Sequence, residues 1–208
     1  PEFVNKAAAG KADEINTCIA CNQACLDHVF QNKRASCLVN PRACYETELN
    51  FNPAAVRKKI AVVGAGPAGM AFSVYAAQRG HSVTLFDKDQ QIGGQFNYAK
   101  QVPGKEEFHQ TIRYFERMLK LHAVNLQLGQ LQSVESLVEG GFDEVVLATG
   151  IVPRHLDLPG ADHPKVLSYL NVLRDHQHVG AKVAIIGAGG IGFDVAEYLT
   201  EPHSLTLQ

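Results

Sequence analysis

Two hydrophobic rhythms run through this chain. Ile60, Ala61, Val62 and Val63 form an unbroken apolar, largely β-branched run, the pattern of a parallel strand buried on both faces. An Ala-rich helix follows, and then a second strand over residues 82–86. Further on, Phe108, Ile112, Phe115, Met118 and Leu119 recur at helical spacing within residues 106–121, a stripe that faces a core. Strands are expected at 124–128 and 144–147, framing a weaker one near 131–134. Residues 3–16 are polar and Ala-rich, compatible with a helix or two, and residues 45–55 read as an extended connector between Pro41 and Pro53. Strands alternating with helices predict an α/β, Rossmann-like fold with a parallel sheet.

The junction of the first strand and helix carries chemistry. Gly64, Gly66 and Gly69 form GxGxxG, with Pro67 and Ala68 inside it, and Asp87 closes the second strand with Lys88 beside it. Strand, tight turn, helix N-terminus, strand and acidic residue follow in the order of a dinucleotide site. Gly64 permits the turn, Gly66 admits a pyrophosphate, Gly69 lets helix and strand pack, and Asp87 can accept hydrogen bonds from a ribose diol. The helix N-terminus offers free N–H groups and a positive dipole end. Gly93 and Gly94, just past the second strand, let the main chain approach another part of a large ligand, with Gln95 as a polar partner. Lys105, after a Pro-Gly turn, is either a phosphate-neighbouring cation or a solvated helix start.

Lys182 to Gly192 repeats the opening of that stretch. The offset is 187 − 64 = 123, and it also aligns Gly189 with Gly66 and Gly192 with Gly69, with Gly190 and Ile191 between. Two such units imply two dinucleotides. Matching His203 through Leu207 to residues 81–85, or carrying the offset on, puts the partner of Asp87 at 209 or 210, beyond Gln208.

Composition narrows the class. Nineteen basic and 21 acidic side chains in 208 residues give a formal charge of −2, so nothing in the balance calls for nucleic acid or an anionic membrane. Residues 60–78 carry no charge and nearly match a bilayer, but the glycines and proline within them and Arg79 after them fit a buried strand, turn and helix better. No signal peptide or lipidation motif is evident, and a cytoplasmic location is expected. Oligomeric state is expected to be a monomer or small homo-oligomer.

Cysteine is concentrated. Cys18, Cys21, Cys25 and Cys37 fall within twenty residues, Cys44 follows, and the rest of the chain has none. A disulfide framework spreads its cysteines across the fold it staples, whereas a cluster at one end points to metal. A close trio plus one remote cysteine suits a 4Fe–4S cube. Zinc, usually held by two separated pairs, is the alternative, with His28 as a possible nitrogen ligand, and metal-free thiols are another. Cys44 reads as a spare that could replace Cys37.

CIACNQACLDHVFQNKRASCLVNPRAC, KKIAVVGAGPAG and IGGQFNYAKQVPGKEEF together resemble the bacterial 2,4-dienoyl-CoA reductases, iron–sulfur flavoproteins grouped with trimethylamine dehydrogenase and enoate reductase. The resemblance spans nearly the whole chain. It implies a glutathione-reductase-like two-dinucleotide fold with FAD at the first fingerprint, NADPH at the second, and Cys18, Cys21, Cys25 and Cys37 as 4Fe–4S ligands. It further implies that Gln132 holds adenine through its main chain, and that Thr149 and Gly150 lie by the flavin. The implied layout is an iron–sulfur segment over 1–50, the N-terminal part of an FAD domain over 51–155 and the start of an NAD(P)H domain over 156–208. A (β/α)8 barrel with FMN, the 2,4-dienoyl-CoA site and the catalytic acid is expected ahead of it, so no catalytic residue is assigned here. A sister activity (enoate reduction or amine dehydrogenation) and a stand-alone electron-transfer module stay open.

Overall fold

The computed structural model describes residues 2–154 and 156–201. The chain opens with a short helix α1 (Phe3–Ala8), a 3₁₀ turn (Ala12–Glu14) and helix α2 (Leu26–Phe30) amid irregular, cysteine-bearing chain. The expected extended connector is instead partly turned, at 46–48, before running on as coil. Its backbone is tied down where the Ala54 N–H donates to the Arg79 carbonyl, 2.9 Å away.

Strand β1 (Lys59–Val63) then starts the parallel sheet, followed by α3 (Pro67–Gln78), β2 (Ser82–Phe86), α4 (Phe96–Ala99), α5 (Glu107–Leu121), β3 (Asn125–Gln127), α6 (Val134–Glu139) and β4 (Glu144–Leu147). All pairings are parallel, in the order β3-β2-β1-β4. Val63 stands level with Phe86 on one side and Leu147 on the other. The chain therefore works outward from β1 to β3 and returns to the opposite side of β1 as β4. This reversal opens a crevice above the carboxyl ends of β1 and β4, the place where such sheets bind ligands.

The core lies where α3 and α5 cover the sheet. Ile60, Val62 and Leu85 meet Met70 and Val74 of α3 and Phe115, Met118 and Leu119 of α5. Of the apolar stripe read from residues 106–121, Phe115, Met118 and Leu119 are core and Ile112 packs against it, whereas Phe108 stacks on Phe96 of α4 with ring centroids 4.4 Å apart. The apolar part of β1, Ile60–Val63, is paired with a strand on each side, and the Lys59 N–H at its start donates to the Asp143 carboxylate at 2.7 Å.

Residues 131–134 do not form the expected strand. The Ser133 hydroxyl accepts the Ser136 N–H at 3.2 Å, and the Ser136 hydroxyl accepts the Ser133 N–H at 3.0 Å, a reciprocal cap that starts α6 at Val134. The apolar Leu131 and Val134 suggest a strand, but both stay exposed and the cap decides.

After β4 the chain runs irregularly to α7 (Tyr169–Leu173) and ends its described part with α8 (Gly190–Thr200). The apolar run ahead of α8 is unpaired among the described residues, leaving Ile186 66% exposed. Among the described residues no helix is long and apolar enough to cross a membrane.

Candidate dinucleotide cradles and the cysteine segment

Gly64 leaves β1 with φ +110°, a conformation open to glycine, and a side chain there would put its Cβ 2.3 Å from the Ala148 carbonyl oxygen. The two strand ends are that close because Ala148 donates its N–H to Val63 at 2.8 Å. Gly69 sits deeper, where a Cβ would fall 1.8 Å from the Gly64 oxygen. Gly66 differs from both. It caps α3 with ordinary extended torsions, φ −75° and ψ −178°, and nothing lies within 4 Å of its missing Cβ. That open ground at a helix N-terminus suits a pyrophosphate. Pro67 and Ala68 form the first turn of α3, where a proline forfeits no helical hydrogen bond.

Asp87 closes the loop from the other side. Its carboxylate accepts the Ala65 N–H at 2.5 Å and the Asp89 N–H at 2.9 Å. Each oxygen keeps a lone-pair site, so the same carboxylate can steady the fingerprint and still receive a ribose hydroxyl. Gly93 donates to the Ala65 carbonyl at 2.8 Å, and a Cβ on Gly94 would lie 3.0 Å from the Gly66 Cα, so this pair packs on the fingerprint. Thr149 and Gly150, both exposed, continue from β4 along the crevice, Gly150 with φ +75° and empty space beside it. The structure thus brings Gly64, Gly66, Gly69, Asp87, Gly94, Thr149 and Gly150 to one crevice, from segments between 64 and 150.

Four other expected residues are engaged elsewhere or stand apart. Lys105 forms an ion pair with Asp194 of α8, Nζ to Oδ1 2.6 Å. Gln95 accepts the Tyr169 hydroxyl at 3.3 Å, and burial holds that phenol above its usual pKa, so it serves as the donor. Gln132 lies on the loop before α6, its side-chain oxygen accepting from the Ser136 hydroxyl at 3.0 Å. Lys88 is exposed beyond β2. Tyr169 and Asp194 were invisible in sequence, since each reaches its partner over a long stretch of chain and belongs to no local pattern.

The second fingerprint repeats the geometry of the first. Gly187 has φ +111°, Gly189 caps α8 with φ −88° and ψ −179°, and a Cβ on Gly192 would stand 2.2 Å from the Gly187 oxygen. Gly190 and Ile191 begin α8, as Pro67 and Ala68 begin α3. The stretch from His203 to Leu207 lies outside the described residues.

In the N-terminal segment all five thiols are unpaired. Ala20 and Asn22, on either side of Cys21, take left-handed torsions, φ 54° and 56°, and Ala20 donates its N–H to the Cys18 sulfur at 3.3 Å. Ser36 donates to the Ala24 carbonyl at 2.6 Å, setting Cys37 beside the Cys25 turn. An N–H aimed at a sulfur and five free thiols in one looped segment are the donor chemistry an iron–sulfur cluster uses. Among the described residues no three His, Cys, Asp or Glu side chains converge to hold a metal ion. His28 turns its Nδ1 to the Arg34 carbonyl, 3.0 Å away.

A parallel α/β unit with one fingerprint at its switch point and a second fingerprint behind it defines a two-dinucleotide protein. The chain belongs to the pyridine nucleotide-disulphide oxidoreductase family, whose model matches residues 58–205. Membership implies FAD and a nicotinamide dinucleotide, for which the open ground at Gly66 leaves room. Among its relatives, a metal reductase of Desulforamulus reducens is 38% identical over 99% of this chain and 31% of its own length. A cinnamate reductase of Clostridium sporogenes is 38% identical over 96% of this chain and 30% of its own. A structure of 2-naphthoyl-CoA reductase with 2-naphthoyl-CoA superposes with a TM-score of 0.90 at 36% identity, over 94% of this chain and 30% of that one. The chain spans about a third of the length of these relatives.

Proposed function

We propose that this chain is the electron-entry part of an NADPH-dependent reductase of conjugated acyl-CoA double bonds, of the 2,4-dienoyl-CoA reductase type. The observation that carries the reading is the pairing of two geometrically matched fingerprints with five free thiols placed ahead of them. The resemblance of a 2-naphthoyl-CoA reductase over almost all of this chain supports a thioester substrate held by a further domain.

When bound, FAD and a 4Fe–4S cluster supply the separation of a hydride's electron pair into single electrons, delivered to FMN in a barrel. The residues here do the holding. Gly66 and the first N–H groups of α3 receive the FAD pyrophosphate, Asp87 the adenosine ribose, and Gly94, Thr149 and Gly150 the isoalloxazine side. Gly187, Gly189 and Gly192 shape the NADPH turn, with Gly190 and Ile191 leading its helix. Cys18, Cys21, Cys25 and Cys37 are the thiolate ligands. The whole protein then works on unsaturated fatty acyl-CoA, without nucleic acid or membrane as partner.

The test is iron, acid-labile sulfide and flavin analysis of anaerobically purified full-length protein, followed by NADPH oxidation with a 2,4-dienoyl-CoA. Iron and sulfide in equal amounts, FAD and FMN, and turnover of the thioester are expected. Zinc without sulfide would overturn the cluster, and turnover of an amine or free enoate in place of the thioester would overturn the substrate.

A further inference from the structure

Besides the bonds of Asn52 and Ala54 to Arg79, two contacts among the described residues hold the cysteine segment and the connector after it to the dinucleotide unit, and neither belongs to a cofactor cradle. The first is a polar clamp on α5. Glu14 is 5% exposed, and its carboxylate receives Arg117 Nη2 at 2.8 Å from a helix 103 positions away. Arg117 Nε stands 2.9 Å from Asp13 Oδ2, Lys11 Nζ lies 4.0 Å from Glu14 Oε2, and Arg113 donates to the Ile15 carbonyl at 3.1 Å. The Glu14 carbonyl itself accepts from Lys6 at 2.9 Å. The second is a stack on α3, where Phe51 lies flat on Tyr75 with centroids 4.3 Å apart and Arg42 covers Phe51.

The clamp leads directly into the cysteines. Asn16, two residues past Glu14, donates to the Val39 carbonyl at 3.0 Å, and Val39 is two residues past Cys37. Ser36 then bonds Ala24, the neighbour of Cys25. In the other direction, α5 packs through Phe115 and Met118 against the face of α3 whose N-terminus is Gly66. One continuous series of contacts therefore joins the thiols to the floor of the first cradle.

We propose that Glu14 and Arg117 are positioning residues that set the separation between what the cysteines hold and what the first fingerprint holds. A buried carboxylate tolerates loss of its close guanidinium poorly, because the more distant and more exposed Lys11 is then the ion-pair partner left to it. The element thus gives at the clamp while the sheet stays intact. This inference rests on the proposed function for the identity of the two cofactors, but the mechanical part stands apart from it.

The experiment uses full-length protein carrying Arg117→Met or Glu14→Gln, the latter nearly isosteric and therefore the safeguard against a folding failure. Iron and sulfide analysis of the unmodified protein decides the cofactor reading by itself. Amide exchange decides the clamp: residues 16–39 are expected to exchange at least about tenfold faster in both variants, with β1, β2 and β4 unchanged. With cofactors loaded, flavin reduction by NADPH keeps its rate and flavin content is unaltered. Electron passage from flavin to cluster, followed by the cluster's paramagnetic signal after rapid mixing, slows severalfold, and Arg117→Lys recovers part of it. Unchanged exchange over 16–39 in Glu14→Gln, or unchanged flavin-to-cluster transfer, overturns the proposal.

Discussion

Lys105 and Asp194 meet as an ion pair of 2.6 Å across 89 positions, joining the turn ahead of α5 to α8. The lysine that sequence offered as a phosphate neighbour has its charge directed at the helix of the second fingerprint instead. Both side chains remain partly exposed, at 35% and 26%, so water screens the pair. Lys105→Met and Asp194→Asn should each cost no more than about 1 kcal/mol in urea unfolding. A double-mutant cycle should find the two coupled, and strictly additive losses would show that the contact carries no energy.

The three glycines of the first fingerprint should separate into two kinds. Gly69→Ala forces a methyl onto the Gly64 oxygen, so about 1–3 kcal/mol of stability is lost as helix and strand are pushed apart. Gly66→Ala meets nothing and keeps acceptable torsions, so the melting temperature should hold while FAD content falls. Comparable melting losses for both would mean that Gly66 is a packing residue and its open ground has no occupant.

Ser133→Ala removes the cap that starts α6 and should cost about 1 kcal/mol, while Ser133→Asp should be tolerated. If residues 131–134 formed a strand, neither change would act this way, and far-ultraviolet dichroism of the two variants tells the cases apart.

His122 gives the fold an acid sensitivity. Burial lowers its pKa below the usual value, opposed by the nearby Glu14 and aided by Lys6, and its ring meets the Gln78 amide at 3.1 Å. The folded state therefore binds this proton more weakly than the unfolded chain does. Its contribution is fully present above the unfolded pKa of about 6.5 and declines as pH falls from there toward the lower folded value. Replacing His122 with Gln should flatten the stability profile over that interval, and an unaltered profile would assign the sensitivity to other groups.

Much of the sheet was legible because Ile60–Val63 of β1 is an unbroken apolar run that suits a strand buried on both faces, and β2 follows its helix with Val83, Leu85 and Phe86 turned to the core. The reading placed β2 at 82–86 and β4 at 144–147, where they are found. The crevice was legible for a related reason: Gly64, Gly69 and Asp87 act on near neighbours in sequence or on the next strand. What escaped was set by distance. Gln95 and Lys105 find partners on α7 and α8, and nothing within a short window announces Tyr169 or Asp194. Residues 131–134 misled because two exposed valine and leucine side chains imitate a strand, while the deciding hydroxyl cap is a single serine pair.

The second glycine turn has the torsions of the first, although no sheet underlies it among the described residues. Its own glycines account for that shape: Gly187 supplies the left-handed torsion, and the missing Cβ of Gly192 leaves room for the Gly187 oxygen against the helix. One short motif thus brings two separate stretches of the chain to the same local geometry.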